Sequence, residues 1–343
     1  MAVCRTIRTK LGVSKFLLQS QDGNEPCTAF LYTDNSIEVH SLKKDFAPLY
    51  LEENTKVNII NKDDIGMLLA ASTLDKATEE LFLHFWDLNS SSYFQPKEIQ
   101  IESSKTTKYL LLHSLEEKIE NYIFVSFENF LCIIVNSKHL YLLSIAKFDP
   151  NLLQINCKSF LNFLSAITNA VFLTQNKDIY LCLSEGANIH VFLVETDLVS
   201  ISVTLIPMKH SHGICIVALH KLTCSKCLVI DNIGHLYLFC LPNEVYSLKF
   251  PCSIGGHSIF ATVAYEQSTD GILALCSGEH TVNLYSLADL FDSIENEVLG
   301  YIKPYRVLCS QFPINSITFI QSDQIAMASS VNQSISFWGG FLS

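Results

Sequence analysis

Residues 179–194 read IYLCLSEGANIHVFLV. An apolar run, a short polar turn and a second apolar run make one strand–turn–strand unit. In the second run Ile189, Val191 and Leu193 share a face, because successive strand side chains point to opposite sides. Residues 236–241, LYLFCL, follow a similar turn and are apolar on both faces. A sheet with one wet face alternates apolar and polar residues; a strand apolar on both faces needs cover on each side.

The unit recurs seven times, in 29–42, 67–88, 131–145, 179–194, 227–241, 272–287 and 324–338. The first inward residues of the second strands are Ile37, Leu81, Leu140, Ile189, Leu236, Val282 and Ile335, spaced 44, 59, 49, 47, 46 and 53 residues apart. Ahead of most pairs stands another apolar segment, such as GICIVALH, IFATVAY or NSITFIQ, and after them an outer one, such as APLYL or VYSLKF. Four strands per unit and seven units predict an all-β, seven-bladed β-propeller, each blade buried between its neighbours, formed as a single domain over residues 1–343. Helical periodicity is confined to SLADLFDSIENE and the segment around NFLSAI.

Several residues carry a family likeness. HFWDL holds a Trp-Asp pair at Trp86-Asp87. Residues 255–287 run from Gly256-His257 through an inner strand and a turn at Asp270-Gly271 to Tyr285-Ser286, where Trp-Asp would stand. Gly300-Tyr301 replaces Gly-His in the last repeat, which Phe337-Trp338 ends. The chain thus resembles a divergent WD-repeat propeller. The resemblance implies a turn Asp in each blade; here Asp34 and Asp231 take that place, and Asn136, Glu185, Glu279 and Asn332 stand elsewhere. Apolar packing is therefore expected to hold the blades more than a buried polar network.

The last blade, ending NQSISFWGGFLS, lacks residues for a fourth strand. VCRTIRTKL, residues 3–11, precedes the first strand of the first blade and has no blade of its own. It is expected to pair beside residues 334–338 and close the ring, removing an exposed edge.

Composition narrows the function classes. Apolar residues make up 49%, charged residues 17% and the net charge is −11, so the chain builds a large core and has little to offer phosphate. Arg5, Arg8, Lys10 and Lys15 are the local exception and the candidates for a polyanion contact, against the plainer reading of a solvated strand face. The polar, basic start is unlike a signal peptide and no apolar run nears the ~20 residues of a membrane helix. A nuclear or cytoplasmic protein with reduced thiols and no membrane contact is expected. Many of the 12 cysteines, Cys132 and Cys182 among them, sit inside apolar runs as small core residues.

No phosphate-binding glycine loop or nucleophile elbow occurs, and the acidic pairs Glu52-Glu53, Asp63-Asp64, Glu79-Glu80 and Glu116-Glu117 lie in polar surroundings. The sharpest constellation is KHSHGICIVALHKLTCSKC, with His210, His212, Cys215, His220, Cys224 and Cys227. Cys224 and Cys227 have zinc-ligand spacing and His220 lies nearby. A second C-x-x-C is missing, and the segment fits two strands joined by a hairpin that splays the ligands. A turn bearing two thiols is the favoured reading, with the metal site its alternative, so no metal, cofactor or catalytic residue is expected.

Two segments are candidates for partner contact. One is the insert IESSKTTKYLLLHSLEEKIENY. The other is LADLFDSIENEVLGYIKPY, with Leu290, Phe291, Ile294 and Tyr301; ordinary packing between blades is its alternative. The reading is a non-catalytic scaffold or adaptor with protein partners in a heteromeric complex, and nucleic acid contacted only indirectly. ILALCSGEHTVNLYSL and INSITFIQSDQIAMASSVNQSISFW resemble the closing blades of the non-catalytic WD-repeat subunit of tRNA (guanine-N7) methyltransferases, which implies support of a methyltransferase. The alternative is an adaptor in another assembly: a ubiquitin-ligase receptor, a nucleoporin, or a DNA-repair or chromatin complex. Trp86-Asp87-Leu88-Asn89 lacks the Arg usual in ligase receptors.

Overall fold

The computed structural model describes the strands of residues 5–99, and residues 122–339 apart from 129, 148–153, 195–202, 208–214, 243, 251–259, 265–270, 277–278, 296–300, 322–323 and 330. Side chains are described within 122–144, 161–194, 215–250, 271–295, 301–319 and 325–339. The insert at 101–121, Lys10, His210, His212 and the Asp270 turn lie outside the described residues, as do the side chains of Arg5, Arg8, Lys15 and Asp34.

After β1 (Arg5–Arg8), strands follow in consecutive fours. The first four are β2 (Val13–Leu17), β3 (Cys27–Tyr32), β4 (Ser36–Ser41) and β5 (Leu49–Tyr50). Then come β6 (Lys56–Lys62), β7 (Gly66–Asp75), β8 (Glu80–Asp87) and β9 (Lys97–Ile99). The third group is β10 (Tyr122–Phe127), β11 (Phe130–Val135), β12 (His139–Lys147) and β13 (Gln154–Asn162). The fourth is β14 (Ile167–Gln175), β15 (Asp178–Glu185), β16 (Asn188–Val194) and β17 (Val203–Pro207). The fifth is β18 (Ile216–Thr223), β19 (Lys226–Asp231), β20 (Leu236–Cys240) and β21 (Glu244–Leu248). The sixth is β22 (Phe260–Ala264), β23 (Ile272–Cys276), β24 (Thr281–Ser286) and β25 (Arg306–Cys309). Last come β26 (Ser316–Gln321), β27 (Gln324–Ser329) and β28 (Ser334–Gly339).

Each group forms one antiparallel sheet in chain order. The last sheet has the order β1-β28-β27-β26, so its fourth strand comes from the other end of the chain. Arg5, Thr6, Ile7 and Arg8 lie opposite Phe337, Ser336, Ile335 and Ser334. First strands also touch in sequence: β2 lies against β6, β6 against β10, β10 against β14, β14 against β18, β18 against β22, β22 against β26, and β26 against β2. The seven residues from Ile37 to Ile335 that mark the repeat all lie in the third strand of their group.

The apolar patterning follows from how these sheets stack. In β23, Leu273 and Leu275 join the cluster shared with the β18–β21 sheet, while Ile272, Ala274 and Cys276 join the cluster shared with the β26–β28 strands. In β19, Leu228 and Ile230 face one neighbour, and Cys227 and Val229 the other. Alternation persists, but both faces are dry, so ILALC and FLCIIV are buried throughout. Full burial of each Leu or Ile contributes about 1.5–3 kcal/mol, and the middle strands supply most of it.

The sequence expectation of a helix at SLADLFDSIENE corresponds to α1 (Leu287–Glu295), which follows β24 directly. Leu287, Leu290 and Phe291 face the core, and Asp289 lies in the first turn, where the helix dipole favours an anion. The expectation around NFLSAI is corrected: β13 ends at Asn162, β14 starts at Ile167, and the link between them is irregular. Its amides are taken by the preceding sheet: Phe163 N donates to Lys138 O at 2.9 Å and Ile167 N to Ser137 O at 2.6 Å. Those bonds leave no intrahelical ladder.

A candidate docking face at one end of the sheets

In each described sheet, the turn between the second and third strands and the link into the next sheet come out at the same end. Backbone bonds stitch this end together across sheets. Ile216 N donates to Gly186 O at 2.7 Å and Ile314 N to Glu279 O at 2.7 Å. Side chains add to the seam: the Thr168 hydroxyl donates to Ile216 O at 2.6 Å, and Asn169 Nδ2 to Val217 O at 2.7 Å.

Two turns are locked from within. At β19–β20, Asp231 is 1% exposed. Its Oδ1 accepts the amides of Ile233 at 2.9 Å and His235 at 2.8 Å, and its Oδ2 accepts the Tyr237 hydroxyl at 3.1 Å. Gly234, with φ of +87°, makes the turn at a conformation L side chains rarely take. Burial first, then the Asp231 charge and its hydrogen bond, push the Tyr237 hydroxyl up to about 12. At β15–β16, Glu185 Oε1 accepts the Ser165 amide at 2.8 Å while its Oε2 bonds His190 Nε2 at 2.5 Å. The His190 ring lies between Phe163, met edge-on, and Phe192, met by stacking.

Onto this rigid end the chain places apolar side chains in water. Leu164 is 99% exposed although the amides on either side of it are bonded. Ile233, Val331, Phe312 and Val217, exposed by 56%, 71%, 39% and 47%, occupy turns, links or strand starts at the same end. Exposed charges there are few: Lys138 and Glu279 among the described residues. The opposite end differs in kind. Its turns and α1 expose Glu128, Lys177, Asp178, Glu244, Asp289, Asp292 and Glu295. Among the described residues this end is thus nearly uncharged and tipped with aliphatic and aromatic groups, the composition of an interface core rather than of solvated surface.

The residues singled out from sequence fall elsewhere. Leu290 is fully buried and Phe291 nearly so, in the cluster between the fifth and sixth sheets. Phe291 also carries the Lys226 ammonium 3.6 Å from its ring centre. Ile294 packs partly against that cluster, and Tyr301 is exposed at the outer rim. The backbones of Arg5, Arg8 and Lys15 lie in β1 and β2.

Cys224 and Cys227 bracket the β18–β19 hairpin and part company: Cys224 is exposed in the turn, while Cys227 is sealed against the Cys182 sheet. Burial first, then the neighbouring Cys182 and Cys240 thiols, push the Cys227 thiol well above its ordinary value, which disfavours the thiolate a metal needs. His220 lies opposite Leu228 in the ladder, one pair away from Cys227. Among the described residues, no three His, Cys, Asp or Glu side chains converge on a metal-sized site. No described helix is long and apolar enough to cross a membrane.

The exposed tips escape sequence reading because an exposed Leu or Val in a turn looks like any other apolar residue. Only Ile233, one residue from Asn232 in a recognisable turn, carries a local signal.

No protein-family model and no curated protein matches the chain. Among solved structures it is similar to the β-propeller domain of Cps50 (Swd1) from Myceliophteria thermophila, with a TM-score of 0.63 at 10% identity over 98% of each chain. It is also similar to BBS1N in a mercury-soaked crystal of its complex with ARL6DN, with a TM-score of 0.60 at 12% identity, covering 96% of this chain and 93% of that one. At such identities the likeness shows the fold alone, and the fold is a β-propeller.

Proposed function

We propose that the protein is a seven-bladed WD-type propeller, one domain over residues 1–343, that works as a non-catalytic adaptor and docks a protein partner on the end tipped by Leu164 and Ile233. The observation that carries the docking reading is Leu164: a leucine almost wholly in water on a backbone pinned on both sides. A preorganised apolar knob loses little entropy on binding, which is the property of an interface anchor. The cyclic order of first-strand contacts and the β1–β28 pairing support a closed ring with β1 as its final strand.

The most specific form of this reading is the non-catalytic subunit that supports a tRNA (guanine-N7) methyltransferase in the nucleus or cytoplasm. Its support is the likeness of the last two repeats to that family. An adaptor role in a ubiquitin-ligase, nucleoporin, DNA-repair or chromatin assembly is the alternative. Affinity purification of the tagged chain, with its stoichiometric partners identified, tests both. A methyltransferase is the expected companion, and a stable partner set without one rejects the specific form. The docking end is tested by Leu164→Asp with Ile233→Asp, expected to lose the partner while the melting temperature stays put. Retention of the partner by that variant rejects the assignment of the face.

A further inference from the structure

β25 ends its sheet, so among the described residues one edge of Arg306–Cys309 has no strand beside it. Among the outer strands with described side chains, β21 exposes Glu244 and Ser247, as a solvated edge does. β25 and its lead-in are different. From Tyr301 onward alternate residues are exposed: Tyr301 (69%), Lys303, Tyr305 (46%), Val307 (48%) and Cys309. The intervening Ile302 and Leu308 pack into the clusters on either side of the sheet. This is an aromatic–basic–aromatic–aliphatic stripe on an open strand edge, where main-chain pairing can add a further strand.

The charge of the stripe says what fits it. Residues 301–312, YIKPYRVLCSQF, hold Lys303 and Arg306 and no acid, in a chain of net charge −11. The Ile302 amide donates to Lys249 O at 2.8 Å, which brings a second exposed lysine alongside. Neither Lys303 nor Lys249 has an ion-pair partner among the described residues, whereas Lys221 and Lys226 sit over phenyl rings. Pro304 has no amide hydrogen to offer, so pairing is confined to the strand itself and the lead-in supplies side-chain grip.

We infer that β25 is a strand-addition site for an extended peptide that carries acidic and apolar residues in turn along one face. The peptide backbone extends the sheet at Arg306–Cys309, its apolar side chains lie along Tyr301, Tyr305 and Val307, and its carboxylates meet Lys303 and Lys249. The site lies at the rim, away from the docking end proposed above, and does not depend on that assignment.

The test uses the full chain and a fluorescein-labelled (Val-Thr-Glu-Thr)3 peptide, whose Val and Glu share one face when extended, read by anisotropy at low salt. Saturable binding is expected. Lys303→Glu should weaken it at least tenfold and turn preference toward (Val-Thr-Lys-Thr)3. Methylating alternate peptide amides should abolish binding for one set of positions and spare the other, since only one edge of the peptide pairs. Leu164→Asp should bind the peptide as the parent does, which separates failure of this site from failure of the docking end. Absence of binding, binding indifferent to Lys303→Glu, or retention by both methylated peptides overturns the inference. So does displacement of the peptide by an equal concentration of a uridylate dodecamer, which would make the stripe a nucleic-acid contact.

Discussion

Replacing Asp231 with alanine removes the acceptor on which the β19–β20 turn is built. Two backbone amides, of Ile233 and His235, lose Oδ1, and the Tyr237 hydroxyl loses Oδ2. Hydrogen bonds to a charged acceptor contribute about 1.5–3 kcal/mol each, and the low end applies because Ile233 and His235 are exposed and water can reach their amides. The longer Tyr237 bond adds about 1 kcal/mol. Removing a carboxylate that is 1% exposed also relieves its desolvation, which returns about 1 kcal/mol. The net loss is about 3 kcal/mol. With an unfolding entropy of about 2.1 cal/mol/K per residue over 343 residues, the melting temperature falls by about 4 °C. Asp231→Asn keeps an oxygen for the two amides and should cost about 1 kcal/mol. Thermal unfolding followed by circular dichroism and urea midpoints measure both. If Asp231→Ala lies within about 0.5 kcal/mol of the parent, the turn is held by packing, and the reasoning fails.

Alkaline titration probes the same turn. Tyr237 is raised from 10 to about 12, so its protonated form contributes stability fully below pH 10, and that contribution is lost as pH climbs towards 12. Tyr237→Phe should flatten the fall in melting temperature over this window; an unchanged slope assigns the fall to Tyr246, which is raised through its bond to Glu244. Removing residues 1–11 strips β1 from β28 and leaves an open edge, so the melting temperature should drop clearly and aggregation rise; unaltered unfolding would refute the closure. Under native conditions iodoacetamide should label Cys224 and Cys309 quickly and leave Cys227 untouched until the fold opens; equal labelling of Cys224 and Cys227 would contradict the burial of Cys227. Purified protein should carry less than about a tenth of an equivalent of zinc, and a full equivalent would restore the metal reading of the hairpin.

Much of the fold was legible because it rests on local periodicity. Ile189, Val191 and Leu193 alternate in sequence and stand in β16 as expected, and the stretch LYLFCL carries its two-sided burial openly. Asp231 was legible as a turn residue, since an Asp before Asn and Gly has few other uses. The link 162–167 was not. Phe163, Leu164 and Ile167 have helical spacing on paper, but the carbonyls of Lys138 and Ser137 claim the amides of Phe163 and Ile167, and those carbonyls stand in the β11–β12 turn, distant along the chain. The sequence offers Leu290 and Phe291 either to a partner or to packing between blades; α1 turns both inward and leaves Asp289 and Asp292 outside.

By itself the sequence determined which residues form strands, where they turn and that both strand faces are covered, because side-chain alternation and turn chemistry act between neighbours along the chain. Tertiary structure alone decided which apolar residues are left in water. Cys227 and Leu164 are both apolar and close to turns; one is sealed by the adjoining sheet and the other projects from a pinned link. That difference depends on groups distant in sequence, brought together only when the sheets stack.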